Sequence, residues 1–354
     1  MAAAKIFVYV SNAEDGEIAV YGMAADGALT PHARVAAAKL VMPMAVSPDR
    51  RFLYAAARSE PNSLHAYAID RDTGTLAPLG VSPLAESFPY ISLDRTGRFL
   101  FAASYGAHLI ALYAVGADGR VASAPLQIIP VGRNAHAIRI DPSNRFVFVP
   151  TLGSDAIFQF TFDAATGRLA SNTPPLFLMK PGTGPRHFIT APDNKFLYVL
   201  SELLGTVTSF ALDAKSGLLR EVSSVSGLPP DTKLGPGAPR GPGAPPRNTD
   251  NDIWAADIHM TPDGKLLVIS ERTSSTLISF RVDAATGTLT ALASTPTERQ
   301  PRGFAIDPTG RFLVASGEKS ATLSVYAIDP GALRLVGKYP SGKGANWVEI
   351  VSFD

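Results

Sequence analysis

The segment GPRHFITAPDNKFLYVLSE, residues 184–202, opens on Arg186 and His187 and closes on Glu202, with apolar runs between them. The sixteen-residue interval from Arg186 to Glu202 recurs from Arg302 to Glu318. Equivalent places elsewhere hold Arg58, Tyr105, His136 and Arg272. Guanidinium groups offer paired donors to a carboxylate or phosphate and stay charged at neutral pH. A histidine and a carboxylate set among them can move protons. The pattern therefore suits acid–base chemistry on an anionic small molecule. The plain alternative is a set of ion pairs tying neighbouring strands together.

These residues are ordered by an internal repeat. SPDRRFLYAAAR, LDRTGRFLFAASY, IDPSNRFVFVPTL, APDNKFLYVLSE, TPDGKLLVISER and IDPTGRFLVASGE each join a turn, a basic residue and a short apolar strand. Their anchors, Phe52, Phe99, Phe146, Phe196, Leu266 and Phe312, are spaced by 47, 47, 50, 70 and 46 residues. After each copy comes an Asp-Gly hairpin signal such as RDTGTL, DAATGRL or DAATGTL. Four strands in each unit of roughly 40–50 residues predict a β-propeller. First strands should begin near Met42, Pro89, His136, Arg186, Ala256, Arg302 and Asn346. The last of these, NWVEIV, lacks a following partner, and the initial KIFVYV lacks a preceding one. Pairing the two removes both exposed edges. The fold class expected is all-β: one seven-bladed domain over residues 1–354, its closing blade built from both termini.

The strands flanking each turn are antiparallel, so the start of the first and the end of the second share a rim. Ten residues before the anchors stand Met42, Pro89, His136, Arg186, Ala256 and Arg302. Six after them stand Arg58, Tyr105, Leu152, Glu202, Arg272 and Glu318. One mouth of the axial channel should thus collect most of the unusual charges. His187 is one residue off this register, where strand alternation would turn it elsewhere. At the other rim a basic residue repeats in every unit (Arg51, Arg98, Arg145, Lys195, Lys265, Arg311) and reads as a solvated turn residue. His32 and His65 lie near hairpins and read as exposed, and His259 reads as packed inside a first strand. The long interval holds residues 228–251, in which 11 of 24 are Pro or Gly. That composition excludes a strand ladder and predicts a flexible surface loop, with a lid near the mouth as the sharper reading; because the segment immediately precedes Trp254, at the start of a first strand, it should sit on the mouth side.

Composition narrows the classes. Net charge is +1, from 32 basic and 31 acidic residues, which gives no case for nucleic acid or a membrane surface. There is no cysteine, so disulfides and thiolate metal sites are excluded. The N-terminal apolar run, IFVYV, is too short for a secretory or membrane segment, and a soluble cytoplasmic protein is expected. No HExxH, phosphate-binding GxxxxGK[ST] or GxSxG motif is present. A rim richer in arginine than in carboxylate would repel a cation, so no metal and no cofactor are expected.

The motifs GPRHF, SELLG, WAADIHMTPDGKLL, SERTSS and PTERQPRGFAID, within a span from VYVSNAEDGEI to GANWVEI, resemble the propeller-type 6-phosphogluconolactonases, a family that includes the fungal carboxy-muconate lactonizing enzyme. The resemblance implies a seven-bladed propeller, action on acidic lactones and no metal. It also implies chemistry by His136 (NAHAI), Arg186 (GPRH), Glu202 (SELL) and Arg272 (ERTSS). Gly106 in SYGAH stands where some bacterial members carry Asn, Gly153 in TLGSD replaces a lysine, and the Pro/Gly insert is atypical; all three bear on phosphate recognition. Taken together, the expectation is hydrolysis of 6-phospho-glucono-1,5-lactone by a monomer or weak homodimer. Glu202 is the expected base, with His136 as competitor, and Arg302, Arg58, His187, Tyr105 and Glu318 are expected to bind substrate. The alternatives are an unphosphorylated sugar lactone, a muconate-type cycloisomerisation, or a non-catalytic propeller that binds a protein.

Overall fold

A computed structural model describes residues 4–241 and 246–353. Among them, seven antiparallel sheets of four strands each account for the strands, and the one helical element is a 3-10 turn at Leu152–Ser154. The seven-bladed propeller read from the repeat is the architecture found. Blades one to six follow chain order. The closing blade pairs Ala345–Phe353 with Lys5–Asn12, from Lys5 opposite Phe353 to Asn12 opposite Ala345.

In blades two, three and six the turn between the two inner strands is built by one acidic side chain. Asp94 accepts backbone N–H bonds from Thr96, Arg98 and Phe99, and Asp141 and Asp307 do the same in their blades. Two residues before each anchor the chain enters the left-handed region, at Arg50, Gly97, Asn144, Asn194, Gly264 and Gly310. Glycine and asparagine tolerate that conformation, which explains the turn composition.

The two repeated signals prove to be halves of one contact. The hairpin glycines Gly27, Gly74, Gly119, Gly167, Gly217 and Gly287 all have positive φ. Each lies so close to an aromatic ring of the preceding blade (Phe312, Phe7, Phe52, Phe99, Phe146 and Phe196) that a β-carbon would overlap it. The basic turn residues are more than solvated. Arg51, Arg98, Arg145 and Arg311 lie over the rings of Phe52, Phe99, Phe146 and Phe312, at 4.8, 5.4, 4.8 and 5.3 Å from the centroids. Arg98 and Arg145 also donate to carbonyls of Ala164 and Ala214 in the next blade. Buried Val, Leu, Ile and Phe side chains fill the space between sheets, and their removal from water drives the packing.

Two departures from the expected strands matter for the site. The third inner strand is only Arg139–Ile140, and His136 precedes it in a segment joined by a single bridge, Ala135 to Thr151. In blades one, four and five the inner strand carries a bulge, at Val41/Met44, Pro185/Phe188 and Ala255/Ile258. A bulge breaks strict alternation and re-aims side chains.

Candidate active site

The expected rim register is real. The residue six places after the anchor donates its backbone N–H to the carbonyl eighteen residues earlier in five blades. These bonds run from Arg58 to Leu40, Leu152 to Asn134, Glu202 to Gly184, Arg272 to Trp254 and Glu318 to Gln300, at 2.9–3.2 Å. A repeated loop geometry therefore carries different side chains to equivalent points around one mouth.

At its centre Glu202 is clamped by two arginines. Arg186 Nε lies 2.7 Å and Arg272 Nη2 3.0 Å from the same Glu202 Oε2, and all three side chains are buried. Arg272 also donates from Nε to the Trp254 carbonyl at 3.0 Å, and its guanidinium lies 3.6 Å from the Trp254 ring centroid. Arg186 donates to the Ala256 carbonyl. Buried charges persist only when paired in this way. Burial pushes the Arg186 guanidinium down to about 10, with Glu202 opposing the shift, and it remains charged at neutral pH.

Arg302, Glu318 and Arg58 complete the cationic rim. Arg302 lies 3.8 Å from Glu318. Burial, then the Arg302 charge, push Arg58 down to about 10, and Arg58 donates from Nε to Ser87 at 3.1 Å. His136 is buried with no protein partner for Nδ1. Burial, and then the charge of Arg186, hold it well below the usual imidazole range, so it is neutral at neutral pH.

Two expected substrate contacts sit differently. His187 is buried beneath the rim: its Nε2 is 3.1 Å from Arg186 Nη1, its Nδ1 is 2.9 Å from Asp257, and its ring meets those of Tyr90 and His136 edge-on at 4.9 and 5.2 Å. The bulge at residues 185–188 turns it inward beside Arg186, where simple alternation would have separated the two. Tyr105 packs edge-on against His136, with centroids 5.4 Å apart, but its hydroxyl donates to the Arg240 carbonyl at 2.7 Å. Asp257 was not anticipated. It stands nine residues before its anchor, Leu266, as His187 stands nine before Phe196, so the repeat itself carried the signal. His259 is partly buried, as expected, with Nε2 3.2 Å from Asp257 Oδ2. A cavity of 340 Å³ opens below this layer towards the turn side, lined among others by Tyr90, Trp347, His259 and Glu349.

The insert runs across the mouth instead of hanging free. Gly237 N–H bonds to the Leu203 carbonyl, Gly235 pairs with residues 251–253, and the Arg240 carbonyl reaches Tyr105 of blade two. The Arg240 guanidinium lies 3.9 Å from the Trp254 ring centroid and 3.6 Å from Asp252. Residues 242–245 of the insert lie outside the described residues. Among the described residues, no group of three or more His, Asp or Glu side chains is placed to hold a metal ion, and no helix is long and apolar enough to cross a membrane.

A closed ring of seven four-stranded blades, with an arginine-rich mouth bearing imidazole and carboxylate, defines a seven-bladed β-propeller with a candidate polar site at one mouth. The chain belongs to the lactonase family of seven-bladed β-propellers, whose model matches residues 6–350. It is 38% identical over 350 residues to a 6-phosphogluconolactonase of Serratia proteamaculans, covering 98% of this chain and 99% of that protein. It is 37% identical over 349 residues to one of Pectobacterium carotovorum, with the same coverage. Among solved structures, the periplasmic gluconolactonase PpgL of Pseudomonas aeruginosa superposes with a TM-score of 0.85 at 26% identity, over 98% of this chain and 99% of that one.

Proposed function

We propose that the protein hydrolyses 6-phospho-glucono-1,5-lactone to 6-phosphogluconate, the lactone-opening step of the pentose phosphate pathway, and does so in the cytoplasm as a monomer or weak homodimer. The observation that carries this reading is the charge balance at the mouth. Arg58, Arg186, Arg272 and Arg302 pair with Glu202 and Glu318, and Asp257 acts on Arg186 from behind His187, which leaves the rim arginines with an excess of positive charge in a largely buried setting. A phosphate monoester carries about −1.5 to −2 at neutral pH and would balance that excess. An uncharged sugar lactone would leave it uncompensated. The names of the bacterial relatives agree with the phosphorylated substrate.

Arg302 and Arg58, the less enclosed pair, hold the phosphate. Arg272 and Arg186 face the lactone carbonyl and stabilise the negative charge that grows on its oxygen as water attacks. His136 takes the proton from that water. It suits the role better than Glu202 on geometry: its Nδ1 has no protein partner, whereas one Glu202 oxygen already accepts from two arginines. The imidazolium then returns its proton to the departing ring oxygen as the C–O bond breaks. The product acid ionises, releasing one proton per turnover.

Acid release above the spontaneous rate, followed in a pH-stat for the phosphorylated and unphosphorylated glucono-lactones, tests the assignment. At least a tenfold higher kcat/KM for the phosphorylated lactone is expected. Equal or reversed preference would assign the enzyme to unphosphorylated lactones. Isomerisation of a carboxy-muconate without lactone hydrolysis would assign it to cycloisomerisation, and no turnover of any of these would leave a binding protein.

A further inference from the structure

We propose that Asp257 and His187 are positioning residues for catalysis: Asp257 sets the tautomer of His187, and His187 in turn fixes the orientation of Arg186. This rests on the reading of Arg186, Glu202 and Arg272 as the catalytic cluster. The three links are continuous. Asp257 Oδ1 lies 2.9 Å from His187 Nδ1, His187 Nε2 lies 3.1 Å from Arg186 Nη1, and Arg186 Nε lies 2.7 Å from Glu202 Oε2. Every member is more than nine-tenths buried.

A guanidinium only donates, so His187 Nε2 must present a lone pair to Arg186. A neutral imidazole has one N–H and one lone pair, and Nδ1 must then carry the hydrogen. The Asp257 carboxylate accepts it and selects that tautomer. Burial, and then the Arg186 charge, push the His187 imidazole down to about 3, so it is neutral at working pH. Asp257 is itself immobilised, accepting from the backbone N–H groups of Ile258 at 3.0 Å and Phe304 at 3.4 Å and lying 3.2 Å from His259. The opposite tautomer would aim Nε2–H at the Arg186 N–H, two donors in contact, and would swing the guanidinium away from Glu202. His187 and Asp257 share one repeat position in adjacent blades, at the inner-strand bulges of blades four and five. That is how residues 70 apart in sequence meet.

The test is a double-mutant cycle on lactone hydrolysis, with thermal midpoints recorded for every variant. Asp257→Asn should lower kcat at least tenfold with KM within about threefold. His187→Ala should lose as much. His187→Gln, whose amide oxygen can take the place of the Nε2 lone pair without a tautomer to set, should recover at least threefold over His187→Ala. In the His187→Gln background, Asp257→Asn should cost less than twofold. Nitrogen-15 spectra of histidine-labelled protein should show His187 as the Nδ1–H tautomer in wild type and a mixture in Asp257→Asn. Equal costs of Asp257→Asn in both backgrounds, loss of kcat in proportion to loss of folded protein, or an Nε2–H tautomer in wild type would overturn the proposal. Full activity in Arg186→Ala would overturn the catalytic reading of the mouth as well. An inactive Arg186→Ala beside a fully active Asp257→Asn would overturn the positioning role alone.

Discussion

Arg272 serves three partners at once: the Glu202 carboxylate, the carbonyls of Trp254 and Ala255, and the Trp254 ring. Its guanidinium is therefore held before substrate arrives, and a preorganised donor stabilises developing charge without reorganising during the reaction. Arg272→Ala is expected to lower kcat/KM on anionic lactones by more than tenfold, about 1.4 kcal/mol or greater. Steady-state kinetics on a variant shown to be folded check this, and unchanged kinetics would remove Arg272 from the site. The residues of this cluster were legible in the sequence because the two rim registers hold unlike residues from copy to copy: one histidine, His136, and charged residues at Arg186, Glu202 and Arg272 where other copies carry Met42, Pro89, Ala256, Tyr105 or Leu152. Asp257 was not legible in the same way. An aspartate inside an apolar strand reads as an anomaly until its partner, His187, is brought beside it from the neighbouring blade.

Among the elements, the insert and the bulges decide the shape of the mouth. Seven prolines and four glycines between residues 228 and 251 rule out a ladder, and the described residues of this segment are paired through isolated contacts. One of them, Tyr105 Oη to the Arg240 carbonyl, spans from blade two to the insert between blades four and five. Tyr105→Phe removes that bond while keeping the ring against His136. Tryptic cleavage after Arg240 is expected to accelerate several-fold in this variant, as followed by mass spectrometry of timed digests, with the thermal midpoint nearly unchanged. Cleavage at the wild-type rate would show that the bond does not hold the insert. Composition and position foretold a loop on the mouth side, but its path could not be read, because the bonds that direct it come from Leu203 and Tyr105, far away in sequence.

For the whole molecule, ring closure places a partly buried carboxyl group against the cavity of the axial channel. Burial pushes Glu349 up to about 7, opposed in part by the N–H of Trp347, which lies 2.9 Å from its oxygen. The folded protein thus retains a proton that the unfolded chain gives up near the ordinary glutamate value of about 4.3. Stability is lost as pH rises from there through 7, because the folded state binds more protons across that window. Glu349→Gln keeps an acceptor for Trp347 and removes the charge. Its thermal midpoint should match wild type at pH 4.5 and exceed it by about 2–6 °C at pH 8. A constant difference across that range would show that Glu349 is not the group responsible. The glycine-on-phenylalanine contacts between blades belong to this scale too, since they form six of the seven junctions between adjacent sheets by one repeated fit.

Periodicity along the chain determined the number of blades, the closure by both termini and the rim on which the unusual charges gather. Each of these follows from local pattern repeated at a near-constant interval. Only the tertiary structure decided which charges touch: that Arg186 and Arg272 share one oxygen of Glu202, that His187 supports an arginine from below, and that the insert crosses the mouth. The physical reason is that hydrogen bonds act over about 3 Å. These atoms come within that range from different blades and from bulged strand segments, which the pattern within any one blade does not reveal.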